Sequence, residues 1–333
     1  MKKQIFILLL FLDKSGLFNT AAKKLNQFLE RFMPLLLSMG VVLGVFKPGV
    51  FIVFRPYIPL FFGAMTFTGA LKLKLRELGK AASSPRPVIL FFMSAHVLMP
   101  VLVFFISRLV FKNDADTVSG YVLLYSAPTA VSGFIWVSIY GGDPALSMAL
   151  ILIDSILAPV VLPGTARILL RTGVSFNMTG MALSLVFMVV IPTILGLSVN
   201  EFSRGKISAI IGPGLAPLSK ICLFTVVAAN SAAVAPQINP DNPRLWIIII
   251  VCVCFGIFNF CLAKLTSLAG KLKPEKQTAL FLAAGLRNTS AAMTLAIDYF
   301  PGPAALPPVL GIMFQHILAA LMGRLLIRKS VSP

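Results

Sequence analysis

The polar run Gly285-Leu286-Arg287-Asn288-Thr289-Ser290 sits in the middle of an otherwise apolar stretch, Glu275 to Phe300. That stretch is long enough to cross a bilayer at ~1.5 Å of rise per residue. Hydrocarbon tolerates a guanidinium there only where it is buried in protein or lines a wet cavity. A helix that unwinds at this run leaves free N–H groups and partial positive charge at the start of its second half. Those groups, with Arg287, Asn288, Thr289 and Ser290, suit a carboxylate or sulfonate. The competing reading is that Arg287 pairs with an internal acid and ties helices together. Asp154 is that acid, alone in the middle of an apolar segment, where an isolated carboxylate costs at least ~2.5 kcal/mol. It either neutralises Arg287, protonates as a coupling site, or is capped by hydroxyls such as Ser155. Ser147 shares its helix face two turns earlier. His96 and His316 are the two histidines; packing is the ordinary role of such residues, and a proton relay through His96 is the functional one. Gln315 is placed to line a cavity from the last apolar segment.

These residues need helices to position them. Hydrophobic residues make up 58% of the chain, charged ones 12%, and mean hydropathy is +0.93. Soluble domains carry roughly 45–50% apolar and 25% charged residues, so this composition indicates a polytopic membrane protein. The net charge of +18 does not point to nucleic acid. Most cations sit in short connections between apolar segments, with no basic stripe interleaved with aromatics. The four cysteines, Cys222, Cys252, Cys254 and Cys261, all fall inside apolar segments without zinc or disulfide spacing, so packing or lipid contact is their expected role. No cofactor or metal is expected, and no catalytic set of residues.

Ten spanning segments are read: Phe32–Phe46, Phe51–Leu71, Pro87–Phe111, Val118–Tyr140, Pro144–Leu170, Phe176–Val199, Pro213–Ala235, Leu245–Leu268, Thr278–Phe300 and Pro303–Ile327. The first is short and is expected to reach back to about Phe28. Residues 1–27 form a cytoplasmic or interfacial lead, in which Met1 to Gly16 lacks a cleavage site. Lys and Arg show roughly a threefold excess on the side of both termini, with Lys47, Arg55, Arg108, Lys112, Arg167, Arg171 and Arg244 opposite, so both termini are expected in the cytoplasm.

An internal repeat is visible. The fourth segment is interrupted at Ala127-Pro128-Thr129-Ala130-Val131-Ser132-Gly133, and the ninth at Gly285 to Ser290. After each interruption come half a helix, a tight turn (Gly141 to Pro144, Asp298 to Pro303) and a helix opening with Pro-Ala. Each unit has five helices, an odd number, so the copies at 28–170 and 171–333 are inverted relative to one another. The expected fold is therefore all-α, with ten transmembrane helices in two inverted five-helix repeats, broken and crossing at helices four and nine. Paired interrupted helices point to a transport site, with Thr129 and Ser132 facing it from the first break.

The order of the local motifs resembles the bile acid:sodium symporter family over nearly the whole chain, from about Phe28 to Ile327. The matching stretches are Pro59 to Leu78, with Gly63-Ala64-Met65-Thr66-Phe67-Thr68-Gly69; Arg86-Pro87-Val88-Ile89 with Met99-Pro100; Asp143-Pro144-Ala145-Leu146-Ser147 with Ala158-Pro159; and Gly285-Leu286-Arg287-Asn288. The resemblance implies two sodium ions at the crossing beside a cavity for bile acids or other organic anions. Carried over, most of those ligand positions have changed. The helix-nine carboxylate position holds Ala283, and the glutamine position beside the retained Asn288 holds Arg287. The helix-three glutamine position holds Ala95, next to His96. The Ser-Asn pair of helix four becomes Gly133-Phe134, or Ser132-Gly133 with the gap placed differently. Ser147 is retained, while a nearby hydroxyl position is Ile151. Sodium needs several oxygen ligands, and a methyl plus a fixed positive charge in that shell repels it, which makes sodium a doubtful partner.

The function expected is a secondary transporter of a small organic anion in a bacterial cytoplasmic membrane, without the usual two-sodium site, and proton-coupled or facilitated. The protein is expected as a monomer or weak homodimer. The alternatives are a symporter with rearranged sodium sites and a sensor or scaffold of the same fold. An intramembrane enzyme lacks its acids, since only 11 exist, nearly all in loops. The related arsenite exporters depend on a helix-four cysteine, and Val118–Tyr140 contains none.

Overall fold

The computed structural model describes residues 16–76, 79, 85–170 and 176–327. The lead at 1–15, Leu78, Arg171 and the tail at 328–333 lie outside them. The described residues form helices α1 (Gly16–Arg31), α2 (Met33–Phe46), α3 (Pro48–Ala70), α4 (Pro85–Val110), α5 (Ala115–Ser126), α6 (Gly133–Ile139) and α7 (Pro144–Leu169). They continue with α8 (Met178–Phe202), α9 (Lys206–Val234), α10 (Pro243–Ala269), α11 (Pro274–Gly285), α12 (Thr289–Tyr299) and α13 (Leu306–Leu326). Seven of these, α3, α4, α7, α8, α9, α10 and α13, are each long and apolar enough to cross a membrane, and α1 with α2 makes an eighth candidate bent by 76°. Among the described residues there is no strand, only one isolated antiparallel bridge. The protein is an all-helical integral membrane protein.

Helix starts follow side-chain chemistry. Asp143 accepts from the N–H groups of Ala145 and Leu146 at 3.0 and 3.1 Å, with Pro144 at the first helical position. Asn242 before Pro243 and Asn177 before Met178 act alike, each satisfying an N–H that the helix itself leaves free. Prolines also explain the irregular turns. A π turn at Met93–Leu98 ends one residue, Met99, short of Pro100, and another at Val186–Val190 ends likewise one residue, Ile191, short of Pro192. Each ring lacks an N–H and crowds the carbonyl four residues back, and the wider turn makes room for both.

Two boundaries differ from the sequence reading. The first span does not extend smoothly back to Phe28: Pro34 opens α2, and α1 leaves at a sharp angle. The seventh begins at Lys206 rather than Pro213, because Pro213 and Pro217 are carried inside α9.

Packing forms two groups of helices. α2 and α3 lie against α9, and α3 also against α8. In the other group α10 packs on α11 and α13, α4 on α5, and α5 on α7 and α13. Glycine permits one of these approaches: a Cβ on Gly120 of α5 would stand 2.2 Å from the Ala304 carbonyl oxygen.

Candidate functional site

The sequence places interruptions at Ala127–Gly133 and Gly285–Ser290, and the chain leaves helical geometry at both. Pro128 disfavours helical geometry at Ala127, which is extended, and α5 stops at Ser126. α11 stops at Gly285, Leu286 is extended, and Asn288 restarts the chain as α12 by accepting from the Ala291 N–H at 3.2 Å. The two extended pieces meet in the antiparallel bridge between Thr129 and Arg287. Ala130 N–H donates to the Leu286 carbonyl at 2.9 Å, and Asn288 N–H to the Pro128 carbonyl at 2.7 Å. Each break thus supplies the hydrogen bonds the other lacks, which irregular backbone at membrane depth requires.

Side chains complete the count. Thr129 Oγ1 donates toward the Ala283 and Leu286 carbonyls at 2.6 and 3.2 Å. Asn259 Nδ2 donates to the Ala284 and Gly285 carbonyls at 3.0 and 3.2 Å. Arg287, only 2% exposed, donates from Nη2 to the Ala95 and Tyr125 carbonyls, both at 2.9 Å. Tyr125 lies in the last turn of α5, where carbonyls lack helical partners, and Ala95 lies in the π turn of α4. The guanidinium therefore joins α4, α5 and the α11–α12 break, and it does so through carbonyl oxygens, the kind of ligand a hard cation also takes.

Asp154 on α7 is completely buried. One carboxylate oxygen accepts from the Thr129 N–H at 2.6 Å, and the other stands 2.8 Å from His96 Nε2. Arg287 is near enough to act on its charge. His96 is held against Phe92, with ring centroids 5.2 Å apart. The structure brings His96, Asp154, Thr129 and Arg287 into one polar cluster. Ser147 is buried on the same helix as Asp154, and its hydroxyl makes no hydrogen bond.

Two cavities adjoin the crossing. One, of about 20 Å³, is lined by Arg287, Thr289, Gln315, Asn259 and Tyr125, and Gln315 Nε2 donates to Thr289 Oγ1 at 3.1 Å across it. That is room for about one water molecule. The other, of about 360 Å³, lies between the two helix groups. Its walls include Met65, Leu223, Phe134, Met148 and Ile151, with Ser132 at the break and His316 stacked on Trp136. Arg31, Lys72 and Lys220 bring positive charge to it, and Glu30 brings one negative charge. Of the predicted solute-binding residues, Ser132 lines this larger space. Arg287, Thr289 and Gln315 face the small one, Thr129 and Asn288 are held in the crossing's own hydrogen bonds, and Ser290 is buried in the first turn of α12, its carbonyl accepting from Thr294 Oγ1.

A family model described as "Sodium Bile acid symporter family" matches residues 59–239. The chain belongs to this family. Membership in the sodium bile acid symporter family makes it a membrane transport protein rather than an enzyme, and accords with the sequence resemblance. Among its relatives, the uncharacterized protein YbaS of Bacillus subtilis (strain 168) is 35% identical over 301 residues, covering 90% of this chain and 98% of the relative. The uncharacterized sodium-dependent transporter YocS of the same organism is 24% identical, covering 90% and 92%. The probable sodium/metabolite cotransporter BASS3, chloroplastic, of Oryza sativa subsp. japonica is 22% identical, covering 90% and 70%.

Residues outside the sequence reading of this symporter-family chain also shape the site. Lys220 falls inside Pro213–Ala235, the seventh predicted span, and is among the Lys and Arg residues assigned to the side of both termini. The helix begins at Lys206, which puts Lys220 roughly four turns inside α9. A charge so far within a spanning helix is itself a signal of function. The Ala95 and Tyr125 carbonyls carry no such signal, since main-chain acceptors have no residue type.

Proposed function

We propose that this chain is a secondary transporter that moves an organic anion, bile-acid-like or a smaller carboxylate or sulfonate, by alternating access. Arg287 stands in it as a fixed cation in place of a two-sodium site. The observation that carries the reading is the cavity of about 360 Å³ between two helix groups, apolar-walled, bordered by cations and reaching a helix break at Ser132. Apolar walls with a few placed polar groups suit an amphipathic anion. The α2, α3, α8 and α9 group moves against the remainder, around a crossing held rigid by its own hydrogen bonds. In this reading the chain is one membrane domain of ten spans in two inverted halves, at 28–170 and 171–333. It sits in a bacterial cytoplasmic membrane with both termini inside.

Sodium is displaced on electrostatic grounds. The guanidinium already donates to two carbonyls at the crossing, and Ala283 offers no carboxylate there. The His96–Asp154 pair is then the titratable element available for proton coupling, and without it the carrier runs down the anion's own gradient. Arg287, Asn288, Thr289, Ser290, Thr129 and Gln315 hold the crossing next to the solute path. A second reading, a symporter with rearranged sodium sites, draws on relatives named as sodium-dependent or sodium/metabolite transporters.

Uptake of radiolabelled cholate and of radiolabelled short-chain carboxylates into proteoliposomes, with sodium and proton gradients imposed separately, tests both. Uptake that continues without sodium supports the first reading. Uptake that requires sodium and survives Arg287→Ala supports the second.

A further inference from the structure

Lys220 is an ammonium roughly four turns inside a spanning helix, with a side chain only 11% exposed. Its partners come from α1, which lies against α9. Lys220 Nζ stands 3.1 Å from Glu30 Oε1 and donates to Asn26 Oδ1, while Asn26 Nδ2 donates back to Glu30 Oε1 at 3.2 Å. Glu30 and Lys220 both line the cavity of about 360 Å³.

The two members of this pair are not equivalent. Glu30 is at 35% side-chain exposure, so its carboxylate can turn into water at little cost. Lys220 cannot leave, and a buried ammonium without an anion is strongly disfavoured. The position against Lys220 is therefore one that favours a carboxylate, and Glu30 fills it here. The adjoining wall from Met65, Leu223 and Phe134 is apolar and takes the body of an amphipathic molecule.

We propose that Lys220 recognises the anionic group of the transported solute, a monocarboxylate or sulfonate with an apolar body, and that Glu30 is an internal competitor displaced when the solute binds. This rests on the organic-anion reading above and adds its recognition residue and its gate. Displacement frees α1 from α9 at the cavity edge, and departure of the solute lets Glu30 return. Glu30 thus lowers the fraction of molecules ready to bind and keeps Lys220 satisfied in an empty carrier.

The test is equilibrium binding of radiolabelled cholate and radiolabelled octanoate to the purified full-length protein. Removing the competitor in Glu30→Gln raises apparent affinity, by about tenfold if Glu30 holds Lys220 nine-tenths of the time. Lys220→Gln lowers affinity by more than about tenfold, and Lys220→Arg retains it, which separates loss of charge from loss of fold. Adding Glu30→Gln to Lys220→Gln changes nothing further. Equal affinities in wild type and Glu30→Gln, or full binding in Lys220→Gln, overturn the exchange and leave the transport reading standing. Absence of binding to either probe in every variant overturns both.

Discussion

The Thr129 main-chain N–H donates to the Asp154 carboxylate at 2.6 Å, so the broken chain after α5 is anchored to the unbroken helix α7. The same carboxylate holds His96 from α4, and Thr129 is bridged to Arg287. One buried acid thus links three helices and the second break. Arg287 is near enough to act on its charge, and His96 Nε2 stands 2.8 Å from its second oxygen.

Asp154→Asn is expected to destabilise the fold by about 3–5 kcal/mol, because it breaks the buried contact with His96 and removes the negative charge that acts on Arg287. The measurement is the unfolding midpoint of the purified protein in detergent. A midpoint equal to wild type would show that Arg287 is neutralised elsewhere.

Restoring the family's changed positions is expected to create sodium sensitivity. In Ala283→Glu/Arg287→Gln a carboxylate and an amide replace a methyl and a fixed cation beside the Thr129 break. Its unfolding midpoint rises in sodium chloride relative to potassium chloride, by the equivalent of about 2.7 kcal/mol at a hundred times the dissociation constant. The wild-type midpoint is the same in both salts. A double variant as indifferent as wild type would separate Arg287 from any role as an ion substitute.

Gly120→Ala tests the packing of α5. The added methyl meets the Ala304 carbonyl oxygen at 2.2 Å, and main chain cannot rotate aside as a side chain can. Overpacking of this kind costs about 1–3 kcal/mol. Thermal unfolding reads it, and an unshifted midpoint would mean that the Gly302–Ala305 turn is free to yield.

How far the sequence reaches is clear from particular residues. The polar run around Arg287 announces one interruption, because an intramembrane guanidinium has few other uses. Pro128 announces the other only through its pairing with that run, since Pro159, Pro163, Pro213 and Pro217 sit inside unbroken helices. Asp154 is likewise visible as a lone acid. Its partners are not: His96 comes from another helix, and the Thr129 N–H belongs to the main chain, which carries no signature of its own. Lys220 is a different case. Its charge is plain in the sequence, but its depth follows from the start of α9 at Lys206, and only the return of α1 brings Glu30 to it. The large cavity is invisible for a related reason, since its walls are ordinary apolar residues from distant segments.

The central claim is that Arg287 occupies the place of sodium at the crossing. Equilibrium binding of radiolabelled sodium to the purified wild-type protein tests it without any need to know the solute. No saturable component is expected over an excess of potassium, whereas saturable sodium binding by the wild-type protein would contradict the placing of Arg287 where sodium would sit.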